Sequence, residues 1–474
     1  MARPPARRAC DRCHAVKERC RRVPGQDACE RCQRLRNSCQ TLRPVGTAGR
    51  KPRYQRTEDT TYSPLQTARS DSLSVASSSP RCPASAASPT MPDWDIVALP
   101  RAPSPFADLS EREMHLVKGV SQGQTRIDQF LIAPSFRICH HKAFARQLYN
   151  ATSWVQDSLI ATAALLACEY EPGPNHENQV IGHRRAASAV STLRSVKAVD
   201  PGDVQTVLML AVSAITFALH ISGSSLEICR HALDIIKPIY ESTVELSPDC
   251  QAFVICLIQA ETEECIIRGE VPTLRLEVQE TNDMVDRYMG IAWPMLPYLY
   301  DVCKITDSLR HDPNLDLSEI TQALNNIEVA VEAWTPTLPV DQTSRFLQEE
   351  VASIMSQAKL YRWSVLLFVH RLRHPYGTAS ARGTVISNAI FEELRMMLQS
   401  TKRSVPGAII PYVFACFELV DSAQREIALD KIDVVIEFSK ELRTKVKKQL
   451  IAFWVIKDST VQIHWSEIVS WLPQ

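Results

Sequence analysis

The sequence carries no net charge, with 53 Lys and Arg against 53 Asp and Glu, so the overall balance points to no partner. No apolar stretch follows its basic first ten residues, so a secretory signal is not expected. No clean membrane span is expected either. The longest apolar run, Val204 to Ile221, is broken by Gln205, Thr206, Ser213, Thr216 and His220 and reads as a buried core helix. Strand-like alternation and self-similarity at a fixed period are both missing. The patterns HExxH, GxSxG, GxGxxG and the phosphate loop are missing too, so the chain is not expected to be an enzyme. The nearest approach to a nucleophile or metal group in the long C-terminal part is Cys139-His140-His141. Adjacent histidines point in different directions on a helix, and these read as solvent-edge residues.

What is present is unevenly distributed. Residues 1–53 hold fifteen Lys and Arg against four acids, Asp11, Glu18, Asp27 and Glu30, so this end carries +11 and the other 421 residues carry −11. Such asymmetry marks a polyanion-binding arm on a body with another task. Of the fifteen cysteines, six fall within this basic end. Cys139, Cys168, Cys229, Cys256, Cys265, Cys303 and Cys416 sit in apolar, helix-like surroundings and read as small buried hydrophobes. An intracellular, reducing compartment is expected, which disfavours disulfides among the six.

Cys10, Cys13, Cys20, Cys29, Cys32 and Cys39 follow the spacing C-x2-C-x6-C-x8-C-x2-C-x6-C, a single half-motif written twice. Each C-x2-C pair can clamp one metal from a tight turn, and the third cysteine can reach back to the same ion. Two tetrahedral zinc ions need eight ligand positions, which six cysteines supply only if two of them bridge both ions. The count therefore favours a cluster of two zinc ions over two separate fingers. Disulfides, or a redox C-x2-C lacking its βαβ context, are alternatives that do not account for all six. With only Val16, Val23 and Leu35 as larger apolar residues, the unit has little else to bury, so metal binding is expected to supply its folding energy.

The run Cys10-Asp11-Arg12-Cys13-His14-Ala15-Val16-Lys17-Glu18-Arg19-Cys20, with Pro24 in the loop and then Cys29-Glu30-Arg31-Cys32 and Cys39, resembles the fungal binuclear zinc cluster transcription factors. The likeness covers about thirty residues. It implies that Cys10 and Cys29 bridge the two ions and that the short helix after Cys13 enters the major groove at a short G·C-rich, CGG-like triplet. It also implies that Lys17 contacts base edges, where an ammonium suits the O6 and N7 acceptors of guanine. Arg19, with Arg12, Arg21 and Arg34, would hold phosphates. His14 stands where the family often has Arg, and Glu18 where another base is frequent, which points to a weaker phosphate grip or an altered target sequence. Past the cluster, Gly49-Arg50-Lys51-Pro52-Arg53 is a basic, extended segment suited to a minor groove or to a nuclear import signal.

Residues 54–107 form the second segment. Tyr54 to Pro105 contains ten Ser and eight Pro in fifty-two residues and reads as a flexible, disordered linker, with four Ser-Pro steps as candidate phosphorylation sites. Residues 108–474 are expected to form a large all-α domain, starting at the capping pair Ser110 and Glu113. Helices are predicted over Val155 to Tyr170, Val180 to Val196, Val204 to His220, Leu226 to Ile239, Cys250 to Arg268, Leu317 to Ala333, Ser344 to Leu372, Ala389 to Leu398, Ile410 to Ile427 and Ile432 to Trp454. A division into two lobes is a candidate near Trp293 to Pro297. The acidic Glu261-Thr262-Glu263-Glu264 reads as a solvated helix face rather than an activation segment.

This body has its own likeness. Ala358-Lys359-Leu360-Tyr361-Arg362-Trp363 through His370-Arg371, with Val413-Phe414-Ala415-Cys416-Phe417-Glu418 and Arg425-Glu426, resembles the fungal-specific transcription factor helical domain, which implies a regulatory, interaction or effector-sensing role. The expected function is a sequence-specific DNA-binding transcription regulator of the RNA polymerase II type, specific to a pathway or gene cluster. It would act in the nucleus on double-stranded DNA together with the transcription machinery or co-regulators. The alternative is a zinc-held protein-interaction module that never touches DNA, against which the +11 head argues. Residues 54–105 have no apolar heptads, so homodimerisation through a coiled coil is not predicted, and a monomer or a dimer through the helical body both remain open.

Overall fold

Ten of the fourteen positions from Val204 to Phe217 are apolar, so a helix there has little face for water and must be largely surrounded by other helices. The computed structural model shows this arrangement. It describes residues 9–10, 13, 20–21, 28–34, 39–41, 108–121, 129–150, 153–170, 176–197, 199–242, 245–278, 284–312 and 314–473. The chain falls into two compact units, Met1–Thr90 and Met91–Gln474.

In the first unit the short helix α1 (Glu30–Arg34) follows Cys29. The second unit holds α2 (Glu111–Ser121), α3 (Arg137–Asn150), α4 (Ser153–Tyr170), α5 (His176–Ser195), α6 (Val204–Ser222), α7 (Leu226–Tyr240), α8 (Pro248–Arg268) and α9 (Leu296–His311). It continues with α10 (Leu317–Ala333), α11 (Val340–Thr343), α12 (Gln348–Arg373), α13 (Ser380–Thr401), α14 (Ile409–Glu418), α15 (Ser422–Val435), α16 (Lys440–Asp458) and α17 (Trp465–Ile468). Among the described residues there is no strand, only isolated bridges at Asp286–Gly290 and Tyr376–Ile463.

The apolar α6 is the hub, packed by α4, α5, α7, α8 and the distant α16. It is long and apolar enough to cross a membrane by composition, yet most of it is buried inside the body. Its end is set by Gly223 at φ +65°. A Cβ there would lie 3.1 Å from backbone atoms of Glu441, so glycine lets the start of α16 approach this closely. Ser439, the N-cap of α16, seals that contact by donating its hydroxyl to Leu219 O at 2.6 Å.

The start of the body follows the expected capping pair. Ser110 N donates to Glu113 Oε2 at 2.9 Å and Glu113 N to Ser110 Oγ at 3.3 Å. The same buried Glu113 receives Arg184 and Arg185 at 2.6 and 2.7 Å, which ties α2 to α5. Burial pushes its carboxyl up, but hydrogen bonds from Arg185 and Ser110 outweigh this and bring it down to about 2.

Several expectations need correction. The two helices predicted over Ile410 to Ile427 and Ile432 to Trp454 are three, because Asp421 caps α15 by accepting from Gln424 N and Ser439 caps α16 by accepting from Leu442 N. These side chains satisfy amides that a continuous helix would have bonded internally, so the chain restarts twice. Helices α3 and α9 were not predicted. Near Trp293, where two lobes were a candidate, Trp293 to Met295 form a buried 3-10 turn leading into α9, and Met91–Gln474 is one compact unit. Cys139 is exposed, so it is not the small buried hydrophobe expected, whereas His140 is buried at 2 % exposure, so the solvent-edge reading fails for His140. The linker 54–107, the basic segment 49–53 and the turn 172–174 lie outside the described residues.

One polar pair holds the C-terminal half. Arg371 on α12 and Glu418 on α14 are 3 % and 4 % exposed. Arg371 Nε donates to Glu418 Oε1 at 2.7 Å, its Nη2 meets Oε2, and its Nη1 reaches Pro375 O and Thr378 O at 3.2 and 3.0 Å. Arg371→Met would strand a buried carboxylate and should cost ~3–5 kcal/mol, measured by chemical denaturation. Adding Glu418→Leu should recover a large part of that loss. A loss below ~1 kcal/mol for the single variant would show that the pair is worth no more than a solvated one.

Candidate metal centre and a cavity in the helical body

The first unit has a core made of cysteine. Cys10, Cys13, Cys29 and Cys32 are buried and Cys20 and Cys39 pack against them, with no other side chain in the cluster among the described residues. The repeated half-motif produces repeated geometry. Cys13 N donates to Cys10 Sγ at 3.4 Å, and nineteen residues on Cys32 N donates to Cys29 Sγ at 3.4 Å. Cys10 N reaches Cys20 Sγ at 3.4 Å, and Cys29 N reaches Cys39 Sγ at 3.3 Å. The cross-pairs match as well, with Cys10–Cys32 sulfurs 3.7 Å apart and Cys13–Cys29 sulfurs 3.6 Å apart.

The six sulfurs form two groups of four, Cys10, Cys13, Cys20 and Cys29 in one and Cys10, Cys29, Cys32 and Cys39 in the other, each with all its sulfurs within 4.8 Å. Both groups contain Cys10 and Cys29, whose sulfurs lie 3.9 Å apart. A tetrahedron of four sulfurs about 2.3 Å from a zinc ion has edges of about 3.8 Å, so the observed separations fit that ion. They are far beyond the ~2.05 Å of a disulfide, and all six cysteines are free. The electrostatics single out the shared pair. The amide of Cys32 draws the Cys29 thiol down to about 6. Cys10 also lies below its ordinary value, because the Cys13 amide overcomes the effect of burial. Burial pushes Cys32 up to about 12 and raises Cys13 as well. The cluster can hold metal ions.

Of the residues assigned to DNA, Arg21 and Arg34 are described, and both are exposed. Arg21 O accepts from Glu30 N at 3.0 Å, linking the two half-motifs at the start of α1. Arg12, His14, Lys17 and Arg19 lie outside the described residues.

The second unit has a feature the sequence reading missed, a cavity of about 570 Å³. Phe144 of α3, Leu159 of α4, Val212 of α6, Val413 of α14 and Phe438 before α16 supply apolar wall. The expected solvated acidic face of α8 turns inward, with Glu263 and Glu264 on the cavity lining and Glu261 off it. Glu261 is fully buried and accepts from Thr273 N and Oγ1 at 2.9 and 2.6 Å. Glu264 accepts from Ser224 Oγ, Ser225 N and Leu226 N, so it caps α7 from a neighbouring helix, and Lys445 approaches at 3.4 Å. Burial opposes its charge, but Lys445 and these donors hold the carboxyl below the usual range.

Glu263 is the exception. Its Oε1 accepts from Tyr361 OH at 2.8 Å and Gln259 Nε2 at 3.1 Å, while the other oxygen has no hydrogen bond among the described residues. Burial lifts this carboxyl to about 7 despite the two donors. A signal was available in the sequence, since three carboxylates interrupt a run otherwise fit for burial on every face.

Because the Glu263 pKa is raised above its unfolded value, the folded protein holds the proton more tightly, and stability falls as pH rises from about 4.5 towards 7. Glu263→Gln removes the ionisation while keeping an acceptor for Tyr361. The variant should melt like the parent at pH ~5 and be more stable at pH ~8, by up to about 3 kcal/mol. Equal melting differences at both pH values would show that Glu263 is ordinarily solvated.

With this geometry established, comparison with known proteins adds one result. The family model described as the fungal specific transcription factor domain matches residues 157–471, from inside α4 to just past α17, which is more than half of the chain and includes most of the cavity wall. No characterised protein and no solved structure matches. The matched domain belongs to transcription factors and is not a catalytic one. The chain thus belongs to the family of proteins built on the fungal specific transcription factor domain.

Proposed function

We propose that this protein is a sequence-specific DNA-binding transcription regulator of the RNA polymerase II type, specific to a pathway or gene cluster and acting in the nucleus. The observation that carries the reading is the pair of four-sulfur groups sharing Cys10 and Cys29, at the end of a chain whose first 53 residues carry +11. Cys10, Cys13, Cys20, Cys29, Cys32 and Cys39 would hold two zinc ions, Cys10 and Cys29 touching both. Bound there, zinc supplies the cross-link that takes the place of an apolar core. Six thiolates against two divalent ions leave about −2, which the surrounding arginines offset.

Lys17 then donates to the O6 and N7 acceptors of guanine in a CGG-like triplet. Arg19, Arg12, Arg21 and Arg34, with His14, hold the backbone and set the register. The helical body is the regulatory part, which meets the transcription machinery or co-regulators. No residue in it is assigned a catalytic role.

The test uses the full chain, titrated against a CGG-containing duplex and a scrambled one at two salt concentrations, with and without a zinc chelator. Tighter binding to CGG, weakening as salt rises and loss on chelation are expected. Lys17→Ala should narrow the preference for CGG over the scrambled duplex by ~1–3 kcal/mol. Zinc-dependent folding with no binding to either duplex would overturn the reading and leave a zinc-held protein-interaction module.

A further inference from the structure

The cavity of the helical body is a feature that neither zinc nor DNA explains. Its volume of about 570 Å³ lies within the ~300–1,000 Å³ of cavities that enclose organic molecules of ordinary drug size. Its walls come from elements far apart in the sequence, α3, α4, α6, α8, α14, α16 and the turn 402–407. A void of this size among packed helices forfeits dispersion contacts on every wall.

The polar groups on the lining are left incomplete in a consistent way. Ser213 and Tyr288 are 3 % and 4 % exposed, and their hydroxyls have no partner among the described residues. An unsatisfied buried hydroxyl costs ~1–3 kcal/mol. Glu263 commits one oxygen to Tyr361 and Gln259 and leaves the other unused. Where the lining reaches solvent the charge is positive. Lys402 and Arg403 are exposed and have no ion pair among the described residues, whereas Arg268 and Lys445 are occupied by Glu264 at 3.9 and 3.4 Å. Arg137 adds a further positive charge, and Glu437 is the exposed acid on the lining.

We propose that this cavity binds an amphipathic small molecule, with an apolar skeleton among Phe144, Val212 and Val413, hydrogen-bonding oxygens towards Glu263, Tyr288 and Ser213, and one acidic group at Lys402 and Arg403. The turn 402–407 is suited to report the occupant. Lys402 sits at φ +58° and Gly407 at φ +70°, and Gln357 Nε2 ties Pro406 O to Tyr288 O at 2.9 Å each. An occupant touching Tyr288 and Arg403 therefore contacts both the 284–290 segment and the turn, which Gln357 of α12 joins through Tyr288 O and Pro406 O. Filling the cavity stabilises the body by mass action and couples that stability to ligand concentration. The assignment does not depend on the DNA reading, and its test needs no duplex.

The probe is anilinonaphthalene sulfonate, an aromatic skeleton with a single acid, titrated into the full chain and followed by fluorescence and by thermal shift. Saturation at one probe per chain with a rise in melting temperature is expected. Reversing the exposed charges with Lys402→Glu and Arg403→Glu should leave the unliganded melting temperature unchanged and weaken binding about five- to tenfold. Ala260 of α8 also lies on the lining; filling the wall with Ala260→Phe should abolish binding, and if that variant fails to fold the charge-reversed one decides alone. Binding that does not saturate at one per chain, or an affinity untouched by charge reversal, would overturn the proposal.

Discussion

Six sulfurs gathered in two groups of four, each with all its members within 4.8 Å, cannot all ionise unless something positive sits among them. Among the described residues of the first unit the buried cluster contains only cysteine, so apolar burial there does not replace that attraction. The doubled half-motif makes the arrangement economical. Each C-x2-C turn points an amide at its own first sulfur, and each third cysteine takes the amide of the residue that opens its half. Cys10 and Cys29 each accept one of these amides, and they are the two that belong to both four-sulfur groups.

The helical body solves the opposite problem. It has abundant apolar surface to bury, and its polar groups must find partners inside. Glu113, Glu264 and Glu418 do so by joining elements far apart in sequence, α2 to α5, α8 to α7 and α14 to α12. Such pairs add little net stability over apolar replacements, but each is expensive to break singly, and together they fix which helices neighbour one another. Glu263 is the acid in this set whose second oxygen is left over, and it lies on the cavity lining.

Much of this was legible in the sequence wherever spacing alone carries the physics. The six-cysteine spacing led to the grouped sulfurs, Ser110 and Glu113 to the capping pair, and the apolar text at Val204 to the central helix. Leu317–Ala333 begins and ends where the periodicity put it. What was not legible depends on partners distant in the chain. Carboxylates inside an otherwise apolar helix hint at burial, but they face inward only if something such as Thr273 or Ser225 waits for them, and the sequence around Glu261 or Glu264 does not name that partner. His140 is buried against Phe144 and Tyr288, with rings 4.7 and 6.0 Å away, for the same kind of reason. The breaks before α15 and α16 were missed because one capping side chain outweighed a continuing apolar pattern.

Two zinc ions sharing Cys10 and Cys29, as proposed, would leave a direct signature, and X-ray absorption at the zinc edge of the full chain tests for it. It should show four sulfur neighbours per zinc at about 2.3 Å together with a metal–metal scattering component, which sulfurs common to both ions require. Four sulfurs with no metal–metal component, or nitrogen and oxygen neighbours in place of sulfur, would contradict it.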